Sequence, residues 1–236
     1  MQISKNVSSS SYISCRDRRT TFASLPGVAQ AALEQIKTHC QYPEHTVLFN
    51  EKQQPRGAWM ICEGQVKLSV SSSEGKVLTL RVAQPGEIVG LSEAMLGNPY
   101  EFTAETLYPC KIAFIRREDL LRFLAQHPQA YRCIAEELTS QFHSACEQLR
   151  TLGLAASVPG RLARLILDWG ANGQQVSEGT RIRVPLTQEQ IAEFIGTTRE
   201  TVSRTLSDFR QRKLVMREGS MLMIPSKTAL EHVAST

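Results

Sequence analysis

The stretch QEQIAEFIGTTRETVSR, residues 188–204, decides the fold of the C-terminal part of the chain. Ile191 and Ile195 recur at helical spacing, and Val202 resumes that spacing on a second helix. Gly196 stands between the two apolar runs, where a glycine permits the sharp turn that joins two helices. This pattern predicts a helix-turn-helix.

The second helix of this stretch carries side chains that suit the reading of base pairs. Four of them share one face of its first two turns, and we predict that they contact bases: Arg199, Glu200, Ser203 and Arg204. Arginine presents paired donors that match guanine, and glutamate accepts from the cytosine amino group, so each good contact discriminates by roughly 1–3 kcal/mol. Thr198 is placed to cap this helix, whose free backbone N–H groups then face a phosphate. The alternative is an amphipathic helix with a merely solvated charged face, but the preceding helix and turn favour DNA binding.

The composition describes a soluble globular protein large enough for two modest domains. The chain has 236 residues, of which 42% are hydrophobic and 21% are charged. Its net charge of +4 is small for a nucleic-acid-binding protein, but basic residues concentrate near the C-terminus. They are Arg199, Arg204, Arg210, Arg212, Lys213 and Arg217. No apolar run has the length of a signal peptide core or a membrane span, so we expect a cytoplasmic protein without a membrane partner.

The hydrophobic pattern divides the chain into four segments. We predict a flexible N-terminal tail over residues 1–21, a β-roll of effector or sensor type over 22–117, a dimerisation helix and hinge approach over 118–156, and a winged helix-turn-helix domain over 157–236. In the second segment, short β-prone runs separated by glycines are typical of an antiparallel, jelly-roll-like roll. The predicted fold class is therefore α+β.

The helix of the third segment bears a regular apolar stripe. Its members recur at alternating steps of four and three residues: Tyr131, Ala135, Leu138, Phe142, Ala145, Leu149 and Leu152. This is the spacing of a coiled-coil seam, and it is longer than one helix needs to cover its own roll. We predict a parallel homodimer through this face. The alternative is a long helix that covers an intramolecular core.

The six cysteines are scattered, without the C-x-x-C pairs of zinc or iron–sulfur sites. We predict free, buried thiols for most of them and keep Cys62 and Cys110 as candidates for a redox role. The sequence also lacks a glycine-rich phosphate loop, a nucleophile elbow and close His/carboxylate spacing, so no catalytic residue and no metal site is predicted. An enzyme fused to a DNA-binding domain is therefore the less favoured class.

The order of these parts resembles the CRP/FNR superfamily of bacterial transcription regulators. Besides the heptapeptide of residues 198–204, three motifs carry the resemblance: GQVKL at 64–68, PGEIVG at 85–90 and GRLARL at 160–165. Together with the order of roll, long helix and helix-turn-helix, the resemblance covers about residues 22–230.

The resemblance implies a homodimer that binds an inverted-repeat operator of the TGTGA or TTGAT type. Arg199, Glu200 and Arg204 match the base-reading positions of the cyclic-AMP receptor protein, while Ser203 matches the FNR pattern. Three further positions match family contacts to phosphate: Thr187, Thr198 and Thr201. The family's usual behaviour implies an activator that contacts RNA polymerase. The alternative is a repressor of the same family that responds to redox state or to a small molecule.

The resemblance also locates an effector pocket in the roll. Its positions here are Gly86, Glu87, Gly90, Leu91, Ser92, Phe102, Thr103 and Ala104. The family binds ribose with a glutamate and cyclic phosphate with an arginine, but this chain has Leu91 and Phe102 at those positions. Because no bidentate cation then offsets the desolvation of a buried anion, cyclic AMP is not the expected effector. The roll either binds an unidentified effector or only supports dimerisation.

We predict no bound cofactor. FNR proteins hold an iron–sulfur cluster on N-terminal cysteines and on one roll cysteine that Cys110 matches, but Cys15 alone cannot complete a four-cysteine ligand set. Heme is not expected either, although four histidines are available outside the C-terminal domain: His39, His45, His127 and His143.

Overall fold

A computed structural model describes residues 22–154, 157–171, 173–184, 186–218 and 221–235. The tail predicted over residues 1–21 lies outside the described residues, as do Gly219 and Ser220. Within the described part, no helix is both long and apolar enough to cross a membrane.

The N-terminal domain is an antiparallel roll. Its strands are β1 (Lys37–Tyr42), β2 (Val47–Phe49), β3 (Gly57–Glu63), β4 (Val66–Ser71), β5 (Val77–Ala83), β6 (Ile88–Val89), β7 (Thr103–Thr106) and β8 (Cys110–Arg116). They form one sheet in the order β1-β8-β3-β6 and another in the order β2-β7-β4-β5, with antiparallel pairing throughout. The predicted roll and the α+β fold class are confirmed.

Aromatic side chains fill part of the roll interior. The rings of Phe49 and Tyr100 stack with their centroids 3.8 Å apart, and the ring of Phe102 lies 5.7 Å from that of Phe49. The Tyr100 hydroxyl donates to the carbonyl oxygen of Gly57 at 2.7 Å, so the buried phenol is hydrogen-bonded. Gly90 has φ +71°, and a Cβ there would lie 2.8 Å from the Tyr100 ring. The stack therefore requires glycine at this turn.

Four helices accompany the roll: α1 (Gly27–Gln35), α2 (Leu91–Leu96), α3 (Arg117–Gln126) and α4 (Ala130–Leu154). Helices α3 and α4 are separate because Pro128 disfavours a helical backbone at His127, which has φ −128° and ψ 71°. The inner face of α4 buries Ile134 against the roll core.

Polar side chains tie α4 to strand β6. Glu137 accepts from the backbone N–H of Ile88 at 3.3 Å, and the Gln141 amide donates to the Ile88 carbonyl oxygen at 2.8 Å. The Gln141 amide also donates to the Glu137 carboxylate at 2.7 Å, so the buried carboxylate has two donors. The long helix is thus fixed to the edge of a sheet at the strand that leads into the Gly90 turn.

The outer face of α4 carries most of the predicted seam. Tyr131, Phe142 and Leu149 are 48%, 66% and 69% exposed, and the two seam alanines are exposed as well. Leu138 departs from the prediction, because it is half-buried and packs against the roll core. The side chain of Leu152 lies outside the described residues. The stripe therefore faces solvent in the single chain rather than covering an intramolecular core.

The C-terminal domain is a winged helix-turn-helix. Its elements are α5 (Val158–Ala171), β9 (Gln174–Val176), β10 (Gly179–Arg183), α6 (Gln188–Ile195), α7 (Arg199–Gln211), β11 (Met216–Glu218), β12 (Met221–Ile224) and α8 (Lys227–Ala234). The strands form one antiparallel sheet in the order β11-β12-β10-β9. The core side chains Ile166, Ile195, Val202 and Phe209 are each 0% exposed.

Two elements of this domain are not evident from the sequence. Helix α5 begins at Val158, because Pro159 is tolerated in a first helical turn, where backbone N–H groups lack helical partners anyway. The short strand β9 has a polar composition that does not indicate a strand.

Removal of the stacked ring in the roll tests this packing. We expect Phe49→Ala to lower the free energy of unfolding of the roll by about 3–5 kcal/mol, because the side chain is 2% exposed and its loss leaves a cavity. Urea unfolding in a Trp169→Phe background, where Trp59 of the same core is the remaining tryptophan, measures the change by fluorescence. Val28→Ala is the control, since Val28 is 80% exposed and its change belongs within about 0.5 kcal/mol. Equal effects of the two substitutions would show that the aromatic stack does not stabilise the roll.

Candidate nucleic-acid interface

The turn between α6 and α7 has the geometry that a helix-turn-helix needs. Gly196 caps α6 in the left-handed region, at φ 65° and ψ 49°, and its N–H donates to the carbonyl oxygen of Ala192. Ile191, Ile195 and Val202 are buried beneath the two helices. The local fold predicted from residues 188–204 is confirmed.

The N-terminus of α7 is capped by threonine side chains. The backbone N–H of Thr201 donates to Thr198 Oγ1 at 3.3 Å, and the two hydroxyls lie 3.0 Å apart. Thr187 caps α6 in the same way, with a reciprocal pair of hydrogen bonds to Gln190. The helix N-termini leave backbone donors and a partial positive charge towards solvent, which suits contact with an anion.

The predicted base-reading side chains share one accessible face of α7. Arg199, Glu200 and Arg204 are exposed and Ser203 is half-buried, while Val202 points into the core. Arg204 Nε lies 3.4 Å from the Glu200 carbonyl oxygen, which keeps its guanidinium beside the glutamate. No segment of the described chain buries the three charged side chains.

The side-chain carboxylate of Glu200 can act as a hydrogen-bond acceptor. Its pKa is lowered, chiefly by a hydrogen bond from its own backbone N–H and then by the Thr198 hydroxyl, with smaller contributions from Arg199 and Arg204. The carboxylate is therefore ionised and can accept only, as contact with a cytosine amino group requires.

A buried lysine joins the C-terminal winged helix-turn-helix domain, called the reading domain below, to the roll. Lys67 of β4, whose side chain is 10% exposed, contacts the Glu193 carboxylate of α6 at 3.3 Å and the Glu105 carboxylate of β7 at 3.4 Å. Thr79 of β5, fully buried, donates its hydroxyl to the same Glu193 oxygen at 3.2 Å. We call these four residues the interdomain clamp. It was missed by sequence reasoning, because Lys67 and Glu193 are 126 positions apart.

The clamp fixes α6, and thereby the recognition helix, in one orientation. Within this domain, Arg161 Nε of α5 donates to the Ile195 carbonyl oxygen at 2.7 Å and fixes the end of α6. The face of α7 that carries the predicted base-reading side chains is accessible to solvent while the domain rests on the roll.

The residues that match the family's effector pocket are bonded or packed within the chain. Leu91 is 1% exposed and Ala104 fully buried, and Phe102 packs against the aromatic core. Thr103 Oγ1 accepts from the Glu51 backbone at 3.1 Å, and Glu87 accepts from the backbone N–H of Gln84 at 2.9 Å and pairs with Arg81. Gly86 and Gly90 adopt positive φ in turns, and Ser92 is half-buried on α2.

One buried carboxyl lies next to these positions. Glu93 is 4% exposed, and burial raises its pKa. It accepts from the Glu101 backbone N–H at 3.4 Å. The helix that carries it is too short for its amphipathic spacing to have indicated this burial.

The two candidate redox cysteines differ in their surroundings. Cys110 is 2% exposed, burial raises its pKa, and its Sγ lies 3.1 Å from the Tyr108 carbonyl oxygen. A thiol in that state is protonated and unreactive at neutral pH. Cys62 is half-buried and disulfide-bonded, whereas Cys40, Cys110, Cys133 and Cys146 are free, as predicted for most cysteines. The described residues hold no group of three or more potential metal ligands.

Two family models match the chain, and they cover both domains. One, described as a cyclic nucleotide-binding domain, matches residues 39–127, and the other, a Crp-like helix-turn-helix domain, matches residues 160–233. The CRP-like cAMP-activated global transcriptional regulator of Mycobacterium tuberculosis is 26% identical over 214 residues, which are 90% of this chain and 95% of the relative. The probable transcriptional regulator flp of Lacticaseibacillus casei is 29% identical over 223 residues, 94% and 98% of the respective chains.

A solved structure shares the fold at lower identity. FixK2 from Bradyrhizobium japonicum superposes with a TM-score of 0.74 at 19% identity, over 85% of this chain and 98% of that one. The likeness covers the roll, the long helix and the winged domain together.

Neutralising Glu193 tests the interdomain clamp. We expect Glu193→Gln to speed amide hydrogen exchange in α6 and β5, because Lys67 keeps only Glu105 as a counter-ion and the domain contact loosens. Mass spectrometry of exchange-labelled peptides measures this, with α3 as the internal reference.

Glu189→Gln is the matched control, since Glu189 is exposed on the same helix one turn earlier. If both substitutions leave exchange in β5 unchanged, Glu193 does not hold the two domains together.

Proposed function

This chain belongs to the CRP/FNR family of transcription regulators, and we propose that it binds, as a homodimer, an inverted-repeat operator of the TGTGA or TTGAT type. It is a DNA-binding regulator rather than an enzyme. The observation that carries the operator proposal is the exposed face of α7, on which Arg199, Glu200 and Arg204 stand beside the capped helix end.

The chemistry of this face suits G·C pairs. The guanidinium of Arg199 can donate to guanine O6 and N7, and the ionised Glu200 carboxylate can accept from a cytosine amino group. Thr198 and Thr201 lie at the helix N-terminus, where phosphates bind, and Thr187 holds the equivalent position on α6. Phosphate contacts set the register, and the α7 side chains then read the sequence.

The exposed stripe on α4 supports dimerisation by this helix. Large apolar side chains at Tyr131, Phe142 and Leu149 are left in solvent on the face opposite the roll, and small Ala135 and Ala145 alternate with them. A second copy of the same helix can bury this stripe by knobs-into-holes packing. The two-fold symmetric dimer presents two α7 helices to successive major grooves, which matches an inverted repeat.

We propose that DNA binding does not require cyclic AMP. Leu91 and Phe102 replace the polar groups that would bind a cyclic nucleotide, and the aromatic stack packs where they lie. The clamp through Lys67 and Glu193 holds the reading domain in place without a ligand. The Mycobacterium tuberculosis relative is named as cAMP-activated, so these substitutions are the point at which we expect this chain to differ. Activation through contact with RNA polymerase, rather than repression, is proposed on the family resemblance alone.

Selection of bound DNA from random duplexes tests the proposed function. The purified protein is used as isolated in air, after reduction under anaerobic conditions, and with added cyclic AMP. We expect the same TGTGA-like or TTGAT-like inverted repeat in all three arms. Enrichment only with cyclic AMP would refute ligand independence, and enrichment only after reduction would favour the redox-responsive alternative. Failure to enrich any sequence would refute the operator proposal.

Arg199→Ala tests direct base reading. We expect the affinity for the selected operator to fall by roughly 1–3 kcal/mol while the affinity for unrelated duplex changes much less, because the lost contact is to a base edge. Fluorescence anisotropy at fixed salt measures both affinities. Arg212→Ala removes the same charge from the far end of α7, where Arg212 pairs with Asp208, and serves as the control. An equal loss on both duplexes for Arg199→Ala would contradict its base-reading role.

Phe142→Asp tests the dimer seam. We expect monomers, because a carboxylate would be buried opposite its copy at the centre of the interface. Analytical ultracentrifugation measures the mass, and Ser140→Asp places the same charge on another exposed face of α4. A stable dimer of the Phe142→Asp protein would place the interface elsewhere.

A further inference from the structure

A cavity of about 1130 Å³ lies between the roll and the reading domain. It is separate from the family's effector position, since neither Leu91 nor Phe102 lines it. Its walls come from the turns at the ends of roll strands, from α4 at Ser144, and from α5 and β10 of the reading domain. The volume slightly exceeds the usual range for small-molecule sites, which is roughly 300–1,000 Å³.

The charges around this cavity favour an anion. Arg81 of the roll and Arg181 and Arg183 of β10 line it, and Asp168 is the one acidic residue among the described lining residues. Glu87 pairs with Arg81, which holds that guanidinium in place and offsets its charge, so the net positive charge comes from β10. Arginine guanidinium groups bind phosphates through paired, charge-assisted hydrogen bonds, so cations contributed by both domains suit a multivalent anion.

Aromatic side chains also line the cavity. Trp169 of α5, Phe194 of α6 and Tyr108 of the roll line the same cavity. The guanidinium of Arg183 already lies over the Tyr108 ring, 5.6 Å from its centroid. Stacked rings and guanidinium planes are surfaces on which a planar aromatic group packs. Gln65 and Gln84 line the roll side, where the Gln65 amide donates to Gln84 Oε1 at 2.8 Å.

We propose that this cavity binds a planar aromatic ligand that carries a multivalent anion, in the chemical class of a nucleoside diphosphate. Arg183 binds the anion, and the ring packs against the aromatic wall that includes Trp169. Because the lining residues come from both domains, the ligand binds only while the reading domain rests on the roll. Because the ligand binds this arrangement better than one in which the domains are apart, it stabilises the contact between the reading domain and the roll, as the clamp does.

Tryptophan fluorescence tests the site without DNA. The chain contains two tryptophans, so Trp59→Phe leaves Trp169 as the reporter in the full-length protein. The probes are GDP, guanosine and inorganic pyrophosphate. We expect a saturable change with GDP, and binding weaker by roughly tenfold or more with guanosine or pyrophosphate, because each lacks half of the recognised chemistry.

Arg183→Gln in the same background locates the binding. We expect the affinity for GDP to fall by roughly tenfold or more, the effect of losing a charge-assisted contact. Arg122→Gln is the matched control, since Arg122 is exposed on α3 and does not line the cavity. Circular dichroism checks that both variants are folded.

Three results would overturn the proposal. The first is no saturable change in tryptophan fluorescence with GDP up to about 5 mM, a concentration well above the dissociation constants of specific sites. The second is equal GDP affinity of the Arg183→Gln and Arg122→Gln proteins. The third is pyrophosphate binding as tight as that of GDP, which would remove the role of the aromatic wall. Because the assay contains no DNA, these results are independent of the operator proposal.

Discussion

The buried ammonium of Lys67 constrains how the two domains of this protein can be arranged. A buried cation is costly unless carboxylates surround it, and here one carboxylate, Glu105, comes from the roll while the other, Glu193, comes from the reading domain. If the reading domain moves away from the roll, Lys67 loses the Glu193 carboxylate. The buried Thr79 hydroxyl loses the same carboxylate as its hydrogen-bond acceptor. The orientation of α7 therefore depends on an ion pair between the two domains.

Packed side chains fill the interior of the roll, whereas the surfaces that are accessible to other molecules lie outside it. At the positions that resemble the family's effector pocket, Phe102 packs against the aromatic core of the roll, and the Gly90 turn contacts Tyr100 closely. Other surfaces are open to solvent: the stripe on α4, the face of α7 and the charged cavity between domains.

Local patterns predicted local structure well. The turn at Gly196, the cap at Thr198 and most roll strands follow from residues close in sequence. Strand β1 could not be predicted in this way, because KTHCQY is mostly polar and lies at a sheet edge, with no apolar alternation to indicate a strand. The seam spacing did not reveal that Leu138 packs against the roll core. The clamp joins residues 126 positions apart, so it depends on a contact that only the tertiary fold creates.

The central claim is that a ligand-free dimer reads two half-sites with its α7 helices. A hydroxyl-radical footprint of the protein on its selected operator, recorded without any added nucleotide, tests this most directly. The proposed mode predicts two protected windows related by two-fold symmetry, with half-site centres about one helical turn apart, roughly 10 base pairs. A single protected window, or protection that depends on an added nucleotide, would contradict it.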